Sequence, residues 1–511
     1  MIRRLSRVSS AELEGVDAKL ITIETDLSVG LSVFSIVGLA DKALSEAKER
    51  INSALKNSGF RPPSQNNFRL TVNLAPADIQ KTGSQYDLGI AVGYLLSSGE
   101  IKCDHQNRIL FIGELSLDGS LRPVRGVLNI AHLAKNQGFE GIIVPPENAA
   151  EAALIDGITV IPAKNLVDAV SYLSGQVLPP VPPSKFTPDY NLSSDFSDIR
   201  GQEFAKRAMT VAAAGGHNII MVGPPGSGKT ALAKCLPSIL PPISIDEAVS
   251  TSKNWSAAGL LSAESPFLKS RPFRDPHHTS SSSAVIGGGT NPRPGEISLA
   301  HNGILFLDEL PEFHRDVLES LRTPLESGIA KIARSRGTLS FPARFQLISA
   351  MNPCPCGYYG DPEVACKCSA REIYKYQKKV SGPLLDRIDI QINVPRLKIS
   401  ALKTGPRGES SVDMREKVLK AADFSRKRFS QLGLPTCSNS ALSSRECDDF
   451  IKLSSEADEL LKQIFDRTAV SGRGYYRILK VARTIADLGE SEIVESDHLA
   501  EAFQYRLKTE D

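Results

Sequence analysis

The chain has 511 residues, 41% apolar and 23% charged, which excludes a disordered or fibrous protein and is more than one core can hold. At roughly 100–200 residues per domain, about three domains are expected. Sixty Lys and Arg against 58 Asp and Glu leave a net charge of +2, so any nucleic-acid partner must be met by a local patch.

The N-terminal MIRRLSRVSS is basic, but no apolar stretch or small-residue cleavage site follows it. LSVGLSVFSIVGLA is shorter than the ~20 residues of a membrane-spanning helix and is broken by glycine and serine. A cytoplasmic protein with no membrane partner is expected. Thiols stay reduced there, so clustered cysteines point to metal or catalysis before disulfides.

Residues 1–176 read as a mixed α/β block. ITIETDL, FRLTVNLA, RILFIGEL and GIIVPP have strand character, while DKALSEAKERINSALKNSGF and RGVLNIAHLAKNQG read as helices closed by glycine. Residues 177–195, VLPPVPPSKFTPDYNLSSD, carry five prolines among small polar residues; proline fixes φ and removes a backbone donor, so this is a linker. In residues 196–400, NIIMV, GILFLDEL and FQLISAM alternate with helical stretches, the pattern of a parallel sheet covered by helices. Residues 401–511 are helical: in GRGYYRILKVARTIADLG, Ile478, Val481, Ala482, Ile485 and Leu488 recur at helical spacing, and Gly489 is placed to cap.

Within the second block, Gly223, Pro224, Pro225, Gly226, Ser227, Gly228, Lys229 and Thr230 fit G-x-x-x-x-G-K-[ST] between a strand and a helix. Such glycines let backbone N–H groups turn inward around phosphates; Lys229 reaches the β/γ oxygens and the Thr230 hydroxyl ligates Mg²⁺. GILFLDEL sets Asp308 and Glu309 at the C-terminal end of a buried strand, where open α/β sheets bind ligands. Asp308 would hold the Mg²⁺ water shell, and Glu309 would orient and deprotonate an attacking water. FQLISAM ends in Asn352, whose neutral amide could bond that water or the γ-phosphate, although asparagine there also suits a turn. Arg387, in SGPLLDRIDI, could serve a neighbouring subunit's γ-phosphate; taken alone it reads as a surface ion-pair residue.

NPCPCGYYGDPEVACKCS, from Asn352 to Ser369, holds half of the eight cysteines. Cys354, Cys356, Cys366 and Cys368 could close a short loop around one structural Zn²⁺, fixing the chain that leaves Asn352. Buried reduced thiols and a redox switch are the alternatives.

DIRGQEFAKRAMTVAAAGGHNIIMVGPPGSGKT, RPFRDPHH, NPRPGEISLAHNGILFLDELPEF, LRTPLESG, MNPCPCG and SGPLLDRIDI resemble the magnesium-chelatase-like AAA+ ATPases, in particular the bacterial ComM/YifB family, over essentially the whole chain. The resemblance implies an AAA+ P-loop core with a helical C-terminal lid, ATP and Mg²⁺, and a hexameric ring with nucleotide at subunit interfaces. It assigns Asn352 as sensor 1, Arg387 as arginine finger and Arg473 as sensor 2, with Arg477 one turn away as the other candidate. Through QKTGSQYDLGIAVGYLL and GELSLDGSLRPVRGVLNIAHLAKNQGFEGIIVPPENAAE, the first block resembles the Lon proteolytic domain. Lon needs a serine two residues after a glycine and a lysine base. Here Gln85 follows Gly83 at that interval, Ser84 is one position off, and Leu128 stands where the lysine should be. A proteolytically inactive domain kept for assembly or partner binding is expected.

Four functions follow: a DNA ring helicase driving branch migration in natural transformation and recombination, as the family implies; a chelatase-type motor remodelling a metal-insertion partner; a Lon-like protease; and an ATP-gated scaffold. Chelatase subunits are expected to lack a Lon-like block of this length, the missing dyad counts against a protease, and Asp308 with Glu309 counts against a scaffold. For DNA, IAKIARSRGTLSF reads as a hairpin offering Lys331, Arg334 and Arg336 to phosphates, and SRPFRDPHHTS adds Arg271, Arg274, His277 and His278. His277 and His278 could suggest a metal, but no cysteine lies near them in sequence.

Overall fold

The computed structural model describes residues 5–39, 42–65, 67–190, 194–289, 292–334, 337–397, 408–434, 438–467 and 471–506. The first block is built on a seven-stranded mixed sheet, in the order Val33–Val37, Phe68–Ala75, Asp17–Val29, Leu5–Glu14, Ile109–Phe111, Gly141–Val144, Thr159–Pro162. Leu5–Glu14 is a central strand, paired antiparallel with Asp17–Val29 and parallel with Ile109–Phe111. The helix Asp87–Ser98 is buried on nearly every side and so carries little amphipathic signal. It lies so close to the sheet that a Cβ on Gly93 would sit 2.6 Å from Thr25 Oγ1.

The proline-rich stretch is docked along both neighbours. Val181 N–H donates to Val160 O at 3.0 Å and Ser184 N–H to Ala153 O at 2.9 Å, then Asp189 N–H donates to Lys269 O at 2.8 Å. Phe186 packs against Phe267, ring centroids 6.3 Å apart. The first block also rests on the helix Ile245–Ala258: Gly126 N–H donates to Ser256 O, and the Ser256 hydroxyl donates to the buried Glu151 carboxylate at 3.0 Å.

The second block holds a five-stranded sheet in the order Phe273–Arg274, Ile304–Leu307, Gln346–Met351, Ile219–Val222, Ile390–Asn393, every pair parallel. Side chains alternate between two apolar layers. Ile304, Phe306, Ile348 and Ala350 join a core with the C-terminal residues Met414, Val418, Ile478 and Val481; Leu305, Leu307 and Leu347 join a second core with Phe341 and Leu384. The C-terminal helices therefore complete one face of the five-stranded sheet. In Gly472–Leu488 the stripe Ile478, Val481, Ala482 and Ile485 is buried. Gly489 caps that helix at φ −91°, and the left-handed residue is Glu490 at φ +52°. Among the described residues no helix is long and apolar enough to cross a membrane.

Candidate nucleotide site and its surroundings

The strand Ile219–Val222 delivers the chain into the glycine-rich loop, and the helix Lys229–Cys235 carries it away. Gly226 and Gly228 hold φ of +76° and +93°, and a Cβ on either would meet nothing within 4 Å, so the loop backbone faces open space. A side chain on Gly223 would strike Val394 O at 2.1 Å; this glycine is required where the loop passes the neighbouring strand. Lys229 turns back over the loop, its Nζ donating to Gly223 O at 2.7 Å, Pro224 O at 2.9 Å and Asn352 Oδ1 at 3.3 Å. Burial lowers the Lys229 pKa, against the opposing pull of Asp308.

The next strand but one, Ile304–Leu307, ends at Asp308, whose Oδ2 accepts from Thr230 Oγ1 at 2.7 Å. A hydroxyl and a carboxylate at hydrogen-bond distance, beside a lysine and a turn rich in N–H groups, suit Mg²⁺ with a polyphosphate. Glu309 follows in the left-handed region, φ +51°, its N–H bonded to Asp308 Oδ1 at 2.9 Å. Left-handed backbone outside glycine is strained and concentrates at functional positions. Pro225, Gly226, Ser227, Gly228, Lys229, Thr230, Asp308, Glu309 and Asn352 all line one open cleft of about 400 Å³.

Arg387 lies at the other end of the sheet. Ile390 pairs with Ile219 and Asn393 with Val222, so Arg387 precedes the N-terminal edge while the glycine-rich loop leaves the C-terminal edge. Four strand residues at roughly 3.3 Å each separate those edges, so Arg387 cannot serve the cleft of its own chain. Its side chain is 10% exposed and paired with Glu326, its Nη1 donates to Pro383 O at 2.5 Å, and its Nε is buried with no partner among the described residues. Arg477 lies on the same side, 3.6 Å from Asp389 and bonded to Leu385 O at 3.4 Å, with its pKa lowered by burial. Arg473, one turn earlier, is exposed.

The residues offered for DNA divide. Ile329–Arg334 and Gly337–Pro342 form the expected antiparallel hairpin, anchored by buried Ala330 and Phe341, with Lys331 exposed. Arg336 and the side chain of Arg334 lie outside the described residues. Arg271 and Arg274 are not available to phosphates, contrary to expectation. Arg271 is bonded to Glu247, Pro241 O and Asn302 O, and Arg274 makes a bidentate pair with Glu296 at 2.6 and 2.9 Å over the Trp255 ring. His277 bonds Thr279, whereas His278 Nδ1 lies 3.2 Å from Glu309 Oε2. The fold thus brings a carboxylate distant in sequence, Glu309, to His278. His278 is the site residue that sequence spacing did not reveal.

In the first block, Gln85 Nε2 donates to Glu12 at 3.1 Å, and Glu12 also accepts from Thr82 N–H, Thr82 Oγ1 and Tyr86 OH. Ser84 donates to Glu114, and Leu128 is fully buried. Each position of the Lon pattern is thus occupied by a packed or hydrogen-bonded structural residue.

Residues 195–402 match the family model described as magnesium chelatase, subunit ChlI, and residues 408–506 its C-terminal part. Over 510 residues the chain is 44% identical to the competence protein ComM of Haemophilus influenzae, covering 98% of this chain and 97% of that protein. It belongs to the ComM/YifB family of magnesium-chelatase-like AAA+ proteins. The Escherichia coli relative, YifB, is 40% identical with 98% and 97% covered. Lon protease 2 of Bacillus subtilis is 28% identical over 147 residues, a quarter of its own length. Residues 23–148 match a model described as subunit ChlI of Mg-chelatase, so the presence of the first block does not by itself set ComM/YifB proteins apart from that description. An AAA+ core of this family implies ATP and Mg²⁺, and the cleft residues fit both.

Proposed function

We propose that the chain is an ATP-hydrolysing ring motor acting on DNA, a branch-migration helicase serving natural transformation and recombination in the cytoplasm. The observation that carries it is the separation of Arg387 from the cleft at Lys229, Asp308 and Glu309: an arginine on the opposite sheet edge can complete only another copy's site. In this reading such head-to-tail contacts close into a hexameric ring. Arg477 shares its edge beside Asp389, and exposed Arg473, one turn earlier, is the freer to reach a neighbouring copy's nucleotide as sensor 2.

Lys229 and the loop N–H groups bind the phosphates, Thr230 and Asp308 hold Mg²⁺, Glu309 takes the proton of the attacking water, and Asn352 orients that water. Bound Mg²⁺ would neutralise charge developing on the phosphate oxygens. A zinc ion at the cysteine cluster completes the cofactors. DNA enters through the relative named a competence protein and through the hairpin carrying Lys331, Arg334 and Arg336. The first block, without a serine–lysine pair at the Lon positions, acts in assembly or partner binding. A chelatase-type motor is the second reading, favoured by the descriptions of all three family models.

ATP hydrolysis with and without single-stranded and forked DNA separates the two. Stimulation by DNA with strand displacement supports the helicase; indifference to DNA, with response to a metal-insertion partner, supports the chelatase reading.

A further inference from the structure

The loop 353–369 contains neither helix nor strand, yet its course is compact and its side chains contribute almost nothing to the apolar cores. What converges inside it is sulfur. The Sγ atoms of Cys354, Cys356, Cys366 and Cys368 all lie within 4.8 Å of one another. Cys354 is 3.4 Å from Cys356 and 3.7 Å from Cys366, and Cys356 is 3.5 Å from Cys366. A disulfide needs about 2.05 Å, so these are not bonded pairs. Tetrahedral Zn–S bonds of about 2.3 Å place sulfurs roughly 3.8 Å apart, close to the spacings found.

Backbone N–H groups point at the sulfurs, Tyr359 to Cys354 at 3.3 Å and Cys368 to Cys366 at 3.4 Å, as suits thiolate acceptors. Thiols bonded only to each other are weak donors and acceptors. They would not hold an irregular loop of this length in one course.

The loop also touches the phosphate-binding turn. A Cβ on Gly357, φ +86°, would lie 2.6 Å from Pro225 Cδ and 3.9 Å from Asn352 Cγ. Asn352, two residues before the first cysteine, accepts from Lys229, and Pro353 O is tied to Gln377 Nε2 at 3.0 Å. We propose that Cys354, Cys356, Cys366 and Cys368 hold a zinc ion whose loop is the wall against which Pro225, Lys229 and Asn352 are set, making nucleotide affinity depend on that metal. This rests on the cleft being the nucleotide site. The ion takes no part in chemistry, since four sulfurs fill its coordination; the loop positions the turn.

The test counts zinc and iron in the full-length protein purified without chelators, alongside binding of a fluorescent ATP analogue. About one zinc per chain is expected. Cys366→Ser should lose the metal and weaken binding on the order of tenfold or more, because small displacements of a positioned group are costly. Gly357→Ala should keep the zinc and weaken binding through contact with Pro225. If Cys366→Ser does not fold, zinc can be stripped from the wild type by an organomercurial with chelator and returned after reduction, with far-ultraviolet circular dichroism checking the fold; affinity should fall and recover. Absence of zinc with all four thiols freely titratable, or iron in its place, overturns the metal site. Unchanged affinity after zinc loss overturns the coupling. Wild type failing to bind the analogue, or Lys229→Ala binding it equally well, would overturn the nucleotide reading and leave the zinc count standing.

Discussion

His278 Nδ1 sits 3.2 Å from Glu309 Oε2, joining the loop after the edge strand Phe273–Arg274 to the acid that follows Asp308. While engaged with this imidazole, the carboxylate is not free to take a proton from water. His278→Ala is expected to leave ATP affinity unchanged, raise basal hydrolysis several-fold and reduce further stimulation by DNA. Steady-state ATPase assays with and without single-stranded DNA check this; slower turnover at unchanged affinity would make His278 a support for Glu309 rather than a restraint.

Lys229→Ala should abolish nucleotide binding, because the loop amides alone then face the phosphate charge. Glu309→Gln should still bind ATP and hydrolyse it poorly, since an amide can orient water but cannot take its proton. Affinity and turnover are measured separately; equal loss of affinity in both variants would contradict this division of labour.

Arg387→Ala should keep ATP binding and lose hydrolysis on the order of 10³-fold. Mixed with Lys229→Ala chains it should regain some activity, at interfaces where an intact cleft meets an intact arginine. Normal turnover of Arg387→Ala alone would end the trans mechanism.

Replacing Lys331, Arg334 and Arg336 by alanine should weaken single-stranded DNA binding almost equally across sequences and flatten the log–log salt dependence by ~0.7 per lost phosphate contact. Basal ATPase should survive while strand displacement falls. Titrations at several salt concentrations decide it: an unchanged slope would place the DNA path elsewhere.

Glu151, buried where the first block meets Ser256, has its pKa raised from 4.5 to about 7, chiefly by burial. The folded chain binds this proton more tightly than the unfolded one, so the contribution is intact below pH 4.5 and is lost as pH rises to about 7. Glu151→Gln should therefore change little at pH 4.5 and stabilise at pH 8 by up to about 3 kcal/mol, with its amide replacing the bonds to Asn148 and Ser256. Thermal unfolding across that pH range reads it; a destabilised variant at pH 8 would mean the carboxylate is needed ionised.

The shape of the glycine-rich loop was legible in the sequence because its requirements are local. Gly226, Gly228, Lys229 and Thr230 fall within one turn, and Asp308 with Glu309 end a strand whose apolar run announces itself. The cysteine spacing was legible for the same reason. Burial hid other features: Asp87–Ser98 is apolar all round and has no periodicity to read, and Leu5–Glu14 is a central strand carrying Arg7 and Glu12. What only the tertiary structure decided are meetings between segments distant in sequence. It brought Glu309 to His278, drew Arg271 and Arg274 into ion pairs with Glu247 and Glu296, laid Gly357 on Pro225, and put Arg387 at the sheet edge away from its own cleft. Sequence spacing specifies what a turn or a strand end can do, whereas which distant charge reaches a side chain first depends on strand order and on how closely backbones pack, and neither is written in any single stretch.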